Sequence, residues 1–183
     1  MNKFEIFLHK SEELRNGYIK SIELPDTDFV HKWLECFSYI PVFFDEIYKI
    51  CNGTRYDISE QKFFDFLPGY RLMQLDEVLE NHKQNYKDNI KEDLEYDLII
   101  PFLSDYAGSY YLYAIKDNKE HILLYTDGIF EKMHSSIDDF WNTIIAFYEE
   151  KVYFLDEDGF LSYDFDKEGE IGKKYNKDII YWE

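Results

Sequence analysis

The chain has 183 residues, 45% hydrophobic and 20% aromatic, which argues against disorder and suits one domain with a real core. Lys and Arg number 20 against 38 Asp and Glu, a formal charge of −18 that repels phosphates and speaks against direct nucleic acid binding. The same field attracts a basic protein partner, although it equally serves plain solubility.

Residues 1–25 carry Phe4, Ile6, Phe7, Leu8 and Leu14 among charges and stop near Asn16-Gly17, as a short helix or an irregular extension ahead of a domain over 26–183. Asp26-Thr27-Asp28 offers N-cap chemistry to a helix with Phe29, Val30, Trp33, Leu34 and Phe37 on one stripe. Pro41 opens a second helix, and Asn52-Gly53 closes it. Phe63 to Leu67 and Arg71 to Leu75 then suggest two short strands around a Pro68-Gly69 turn. Asp76 can cap a helix carrying Val78, Leu79, His82 and Tyr86, and the charged residues 87–97 are expected to face solvent.

Leu98 to Leu103 is a continuous apolar run containing Pro101, so it forms a strand near an edge or a strand with a bulge. Ser109 to Ile115, His121 to Tyr125 and Ile129 to Met133 follow as strands, separated by turns at Asp117-Asn118 and Asp127-Gly128. Ser136 and Asp139 start a late helix with Ile137, Phe140, Trp141, Ile144, Ile145 and Tyr148 at helical spacing. Val152 to Leu155 and Phe160 to Tyr163 flank a hairpin turn at Asp156-Glu157-Asp158-Gly159. The sum is a single α+β domain: a mostly antiparallel central sheet covered by helices.

Catalytic signatures are missing from the chain. The acidic stretch from Asp156 to Asp166 fails as a calcium loop, because Gly159 would place the first and last ligands at Phe154 and Phe165. His9, His31, His82, His121 and His134 show no metal-ligand spacing, and there is no nucleophile elbow or phosphate-binding glycine loop. Cys36 and Cys51 lie in apolar helical patterns without C-x-x-C spacing, as thiols of a reducing compartment. No run approaches the ~20 apolar residues of a membrane span and no signal sequence opens the chain, so a cytoplasmic protein without cofactor, metal or membrane association is expected.

A series of short motifs adds to this reading. Ile40-Pro41 opens a helix that closes at Asn52-Gly53. Leu67-Pro68-Gly69-Tyr70-Arg71-Leu72-Met73 and Leu75-Asp76-Glu77-Val78 follow. Leu98-Ile99-Ile100-Pro101-Phe102 leads to Asp105-Tyr106-Ala107-Gly108-Ser109-Tyr110-Tyr111, and Ser135-Ser136 to Asp139-Phe140-Trp141. Asp158-Gly159-Phe160-Leu161, Ile171-Gly172-Lys173-Lys174-Tyr175-Asn176 and Tyr181-Trp182 complete the order. In order and spacing, over roughly residues 26–182, the chain resembles the SMI1/KNR4, or SUKH, superfamily.

The resemblance implies an α+β binding protein, in bacteria an immunity protein that occludes a cognate toxin domain, with the net charge favouring a basic nuclease. An alternative within the superfamily is a regulatory or scaffold protein with an endogenous partner, and a third reading is a hydrolase using surface carboxylates. For a basic partner the expected face comprises Glu92, Asp93, Glu95 and Asp97 together with Asp156, Glu157, Asp158, Asp164 and Asp166.

Overall fold

Alternation of side chains along three consecutive runs builds the centre of the molecule. β3 (Tyr110–Lys116), β4 (Lys119–Thr126) and β5 (Ile129–His134) form an antiparallel meander, extended on the other side by β2 (Leu98–Ser104) and the two-residue β1 (Arg71–Leu72). The turns between β3, β4 and β5 are two-residue loops whose residues all have left-handed backbone: Asp117 and Asn118 at φ 52° and 59°, Asp127 and Gly128 at 51° and 84°. That geometry matches the twist of paired strands and explains why these residue types stand there. A computed structural model describes residues 1–86 and 95–183.

One face of the sheet carries the paired row Ile100, Tyr113 and Ile122 into the main core. The opposite face carries a smaller buried cluster of Ile99, Leu112, Ala114 and Leu123, bordered by Tyr96, Tyr110, Tyr125 and Phe130. The main core is closed by α1 (Lys3–Leu14), α2 (Phe29–Cys36), α3 (Val42–Tyr48), α4 (Leu75–Asn81) and α5 (Ile137–Glu149). A separate hairpin, β6 (Tyr153–Leu155) and β7 (Leu161–Tyr163), then leads into α6 (Phe165–Tyr175). The α+β architecture with an antiparallel sheet is as expected.

Of the two readings of the N-terminal segment, the helix forms. Asn2 and Glu5 make a reciprocal capping box, and Phe4 and Phe7 are fully buried beside Trp141 of α5. The next turn inserts Arg15, which is wholly buried and donates to the carbonyls of Lys62 and Asp65 and to the Tyr148 hydroxyl. Its guanidinium also lies 3.9 Å from the centre of the Tyr18 ring. Arg15 thereby joins the chain's first helix to the 61–65 segment and to α5.

Arg15 also explains a correction. Phe63 to Leu67 is not a strand: Gln61–Phe63 forms a single 3-10 turn, and Leu67 makes only an isolated bridge to Tyr70. The carbonyls of Lys62 and Asp65 are held by Arg15, and the Asp65 carboxylate accepts from the Gly69 amide at 3.0 Å. Those backbone groups are therefore not offered to a ladder. A second correction concerns α4, whose N-cap is Gln74 in a capping box with Glu77, while the Asp76 carboxylate meets Lys32 at 2.9 Å. Both alternatives at Pro101 hold: the edge strand β1 pairs only with Leu103 and Ser104, leaving Pro101 without a strand on that side, and the register of β2 with β3 shifts between Pro101 and Leu103.

A third difference is α6, a helix over residues for which the sequence suggested no element. Asp164 is its N-cap, accepting from the Lys167 amide at 3.2 Å, and Lys173 and Lys174 occupy the last turn. Gly172 is buried against Trp182: a Cβ there would stand 2.1 Å from the indole.

Candidate functional site

The acidic residues singled out by sequence fall into separate places. Glu92 and Asp93 lie outside the described residues. Glu95 stands just before β2 with a left-handed backbone, its carboxylate 3.0 Å from the Lys116 ammonium. Asp97 donates its amide to the Ile115 carbonyl and accepts from the Asp117 amide, so it pins the β3–β4 turn. Both sit at the Leu98 end of β2.

Asp156, Glu157, Asp158, Asp164 and Asp166 sit together on the β6–β7 hairpin and the start of α6. This group belongs near the other end of β2: Tyr163 lies within electrostatic reach of Tyr70, whose neighbour Arg71 pairs with Ser104. Seven residues of β2 span about 20 Å, at roughly 3.3 Å per residue, so the two acidic groups do not form one face.

Within the hairpin group the roles differ. The Asp156 carboxylate accepts from the amides of Asp158 (3.0 Å) and Phe160 (2.8 Å), which builds the turn, and Gly159 supplies its left-handed residue at φ 84°. Glu157 and Asp158 project from the tip into solvent. Asp164 caps α6 and lies 3.7 Å from the Lys167 ammonium. Asp166 is exposed in the first turn of α6.

Beside these acids stand aromatic rings that the hairpin and α6 leave uncovered. Phe165 is 76% exposed, and Tyr163 and Tyr181 keep about two-fifths of their surface open. Phe165, Asp166, Glu168, Glu170, Lys173 and Tyr181 border one recess of about 560 Å³, floored by Trp182. The closing 3-10 turn Ile180–Trp182 is held in place because the Trp182 indole donates to the Met133 carbonyl of β5 at 2.7 Å.

Glu168 is the residue that sequence reasoning missed. It is half-buried, and no hydrogen bond or ion pair engages its carboxylate among the described residues. Burial pushes its carboxyl up from the ordinary 4.5 to about 7. Tyrosines surround it. Burial, and secondarily the neighbourhood of Glu168, raises Tyr163 of β7 and pushes Tyr181 up to about 12. Tyr111 of β3 and Tyr153 of β6 are raised further, again by burial first, with Glu168 among the contributing charges. These residues are remote in sequence, so no local pattern around Glu168 could signal its environment.

The arrangement offers apolar rings, exposed carboxylates and one half-buried carboxyl. It suits recognition of a cationic, partly apolar surface. Among the described residues, no group of three or more His, Cys, Asp or Glu could hold a metal ion, and no helix is long and apolar enough to cross a membrane. No family model and no curated protein matches this chain.

Proposed function

We propose that this chain is a binding protein of the immunity type, acting in the cytoplasm by occupying a basic toxin domain and screening its active site, with a nuclease as the favoured partner. The observation that carries this reading is the surface of the β6–β7 hairpin and α6, where exposed Tyr163, Phe165 and Tyr181 stand among Asp156, Glu157, Asp158, Asp166 and Glu168. Aromatic rings supply the anchoring area of most tight interfaces. Acidic residues around them steer a basic partner and raise the encounter rate. The formal charge of −18 extends that field over the molecule, and the order of the SUKH-like motifs supplies the immunity type.

Affinity capture of the tagged chain from its own host, followed by activity assays, tests this. The expected result is one basic polypeptide at near-stoichiometric yield whose enzymatic activity disappears on adding an equimolar amount of this chain. Association should slow as salt rises toward ~0.5 M, where screening shortens to several ångströms. Capture of envelope or housekeeping enzymes whose activities are unaffected would replace the toxin reading with a scaffold role.

A further inference from the structure

We infer that the recess beside α6 is a socket for a single lysine or arginine side chain of the partner, with the Glu168 carboxylate as its counter-ion and the rings of Tyr181 and Phe165 along its stem. The socket deepens, and rests on, the docking reading above. Three observations converge on it.

Chemical need comes first. Glu168 is half-buried, and among the described residues no protein group bonds its carboxylate, so its charge is less well hydrated than an exposed one and has no internal counter-ion. Glu168 keeps enough exposure to be reached from outside, and an arriving ammonium or guanidinium would supply the bond it lacks. Shape comes second. The recess of about 560 Å³ has volume enough for a basic side chain, and its lining includes Phe165, Tyr181 and Trp182, rings over which cations and their methylene stems pack well.

Charge is the third. The recess is bordered by Asp166, Glu168, Glu170 and Glu183 against one cation, Lys173. The titratable groups within electrostatic reach of Glu168 from the packed elements are Tyr163 of β7, Tyr153 of β6, Tyr111 of β3 and Tyr181 of the closing turn. Every one is neutral near pH 7, as an ordinary tyrosine is, and burial raises it further. Glu131 of β5 adds a further negative charge near Tyr181. No basic group from these elements supplies the missing partner among the described residues.

The occupied socket holds Glu168 ionised, whereas the empty socket leaves it about half protonated at neutral pH. Binding of a cation therefore releases a proton, and affinity rises with pH. With the carboxyl at about 7, the ionised fraction grows about tenfold between pH 6 and pH 8, and binding should tighten by about the same factor.

The test is an NMR titration of the full chain with the acetylated, amidated tripeptide of three arginines, at pH 6 and pH 8. Shifts should map to Glu168, Phe165 and Tyr181, with binding tightening several-fold at the higher pH. Glu168→Gln, which keeps size and removes the charge, should weaken the peptide by about fivefold or more at pH 8 and flatten the pH dependence. Asp28→Asn, an exposed carboxylate at the start of α2 and outside the docking surface, controls for diffuse attraction to an acidic protein and should change binding less than about twofold. Equal losses in the two variants, shifts centred elsewhere, or an unchanged pH response in Glu168→Gln would each overturn the socket. The docking reading fails separately. A captured toxin that binds Glu168→Gln as tightly as the parent removes the socket and leaves that reading standing, while a peptide response at Glu168 with no inhibited partner does the reverse.

Discussion

The two sides of α6 handle polar groups in opposite ways. On the inner side Asn176 donates from its amide to Thr143 Oγ1 (2.9 Å) and to the Gly172 carbonyl (2.8 Å). Its side-chain oxygen is thereby left to accept from His134 Nδ1 at 2.8 Å, which fixes the tautomer of that buried ring. Thr143 passes the chain on to the Asp139 carbonyl at 2.7 Å. On the outer side, the Glu168 side chain makes no hydrogen bond among the described residues. A satisfied buried network specifies how helix and sheet fit together, whereas a carboxylate at the surface with no protein partner is open to a group from outside. One helix thus separates a fastening from a site.

The largest effects are expected on the inner side. Gly172→Ala places a methyl into the Trp182 indole, which is buried and tied to Met133, and should cost about 3 kcal/mol in denaturant unfolding. The gain of about 1 kcal/mol that Ala normally brings to a helix interior is too small to offset this. Asn176→Ala should cost about 2–3 kcal/mol, because it leaves the His134 donor without its acceptor and removes the amide that donates to Thr143 Oγ1. A near-neutral result in both would erase the contrast between the two sides.

The pH responses sharpen it, since they run in opposite directions. Burial lowers His134 from its ordinary 6.5 to about 4, and its Nε2 has no partner to receive a proton's charge. The folded state therefore binds fewer protons than the unfolded state, and stability should fall as pH drops from 6.5 toward 4, by about 3 kcal/mol. Glu168 is raised, so the folded state binds more protons, and its contribution is lost as pH climbs from 4.5 through 7. Glu168→Gln should accordingly stabilise the chain by about 2 kcal/mol at pH 8 and leave it unchanged below pH 4.5, as followed by thermal or urea unfolding. Destabilisation at pH 8 would mean that Glu168 fastens the fold like its neighbours across the helix.

Smaller effects distinguish residues within the hairpin. Asp156→Ala loses two bonds to backbone amides and should cost about 1 kcal/mol. Asp158→Asn touches nothing that holds the turn and should move stability by less than about 0.5 kcal/mol.

What was legible in the sequence follows from how local each signal is. Period-two alternation and the Asp117-Asn118 and Asp127-Gly128 turns located β3, β4 and β5, because neighbours in the chain decide those features. The α5 helix was equally clear, with Ser136 accepting from the Asp139 amide at 3.0 Å. The helix α6 was obscured by Gly169 and Gly172, poor helix formers, of which Gly172 is explained only by a tryptophan ten residues on. Phe63 to Leu67 looked like a strand until Arg15, remote in sequence, took its carbonyls. The acidic hairpin was found by composition, while Glu168 depends on tyrosines from β3, β6, β7 and the closing turn that only the fold assembles.

The pairing of α1 with α5 carries a consequence for biosynthesis. Phe4 and Phe7 leave the ribosome well ahead of Trp141 and Tyr148, which cover them and are made more than 130 residues later. At about 5–20 residues per second, that interval is on the order of ten seconds during which an apolar helix waits in the open. Nascent chains of this protein should therefore engage chaperones early and let go only after residue 149 has emerged, whereas the β3–β4–β5 meander can pair as soon as it is translated.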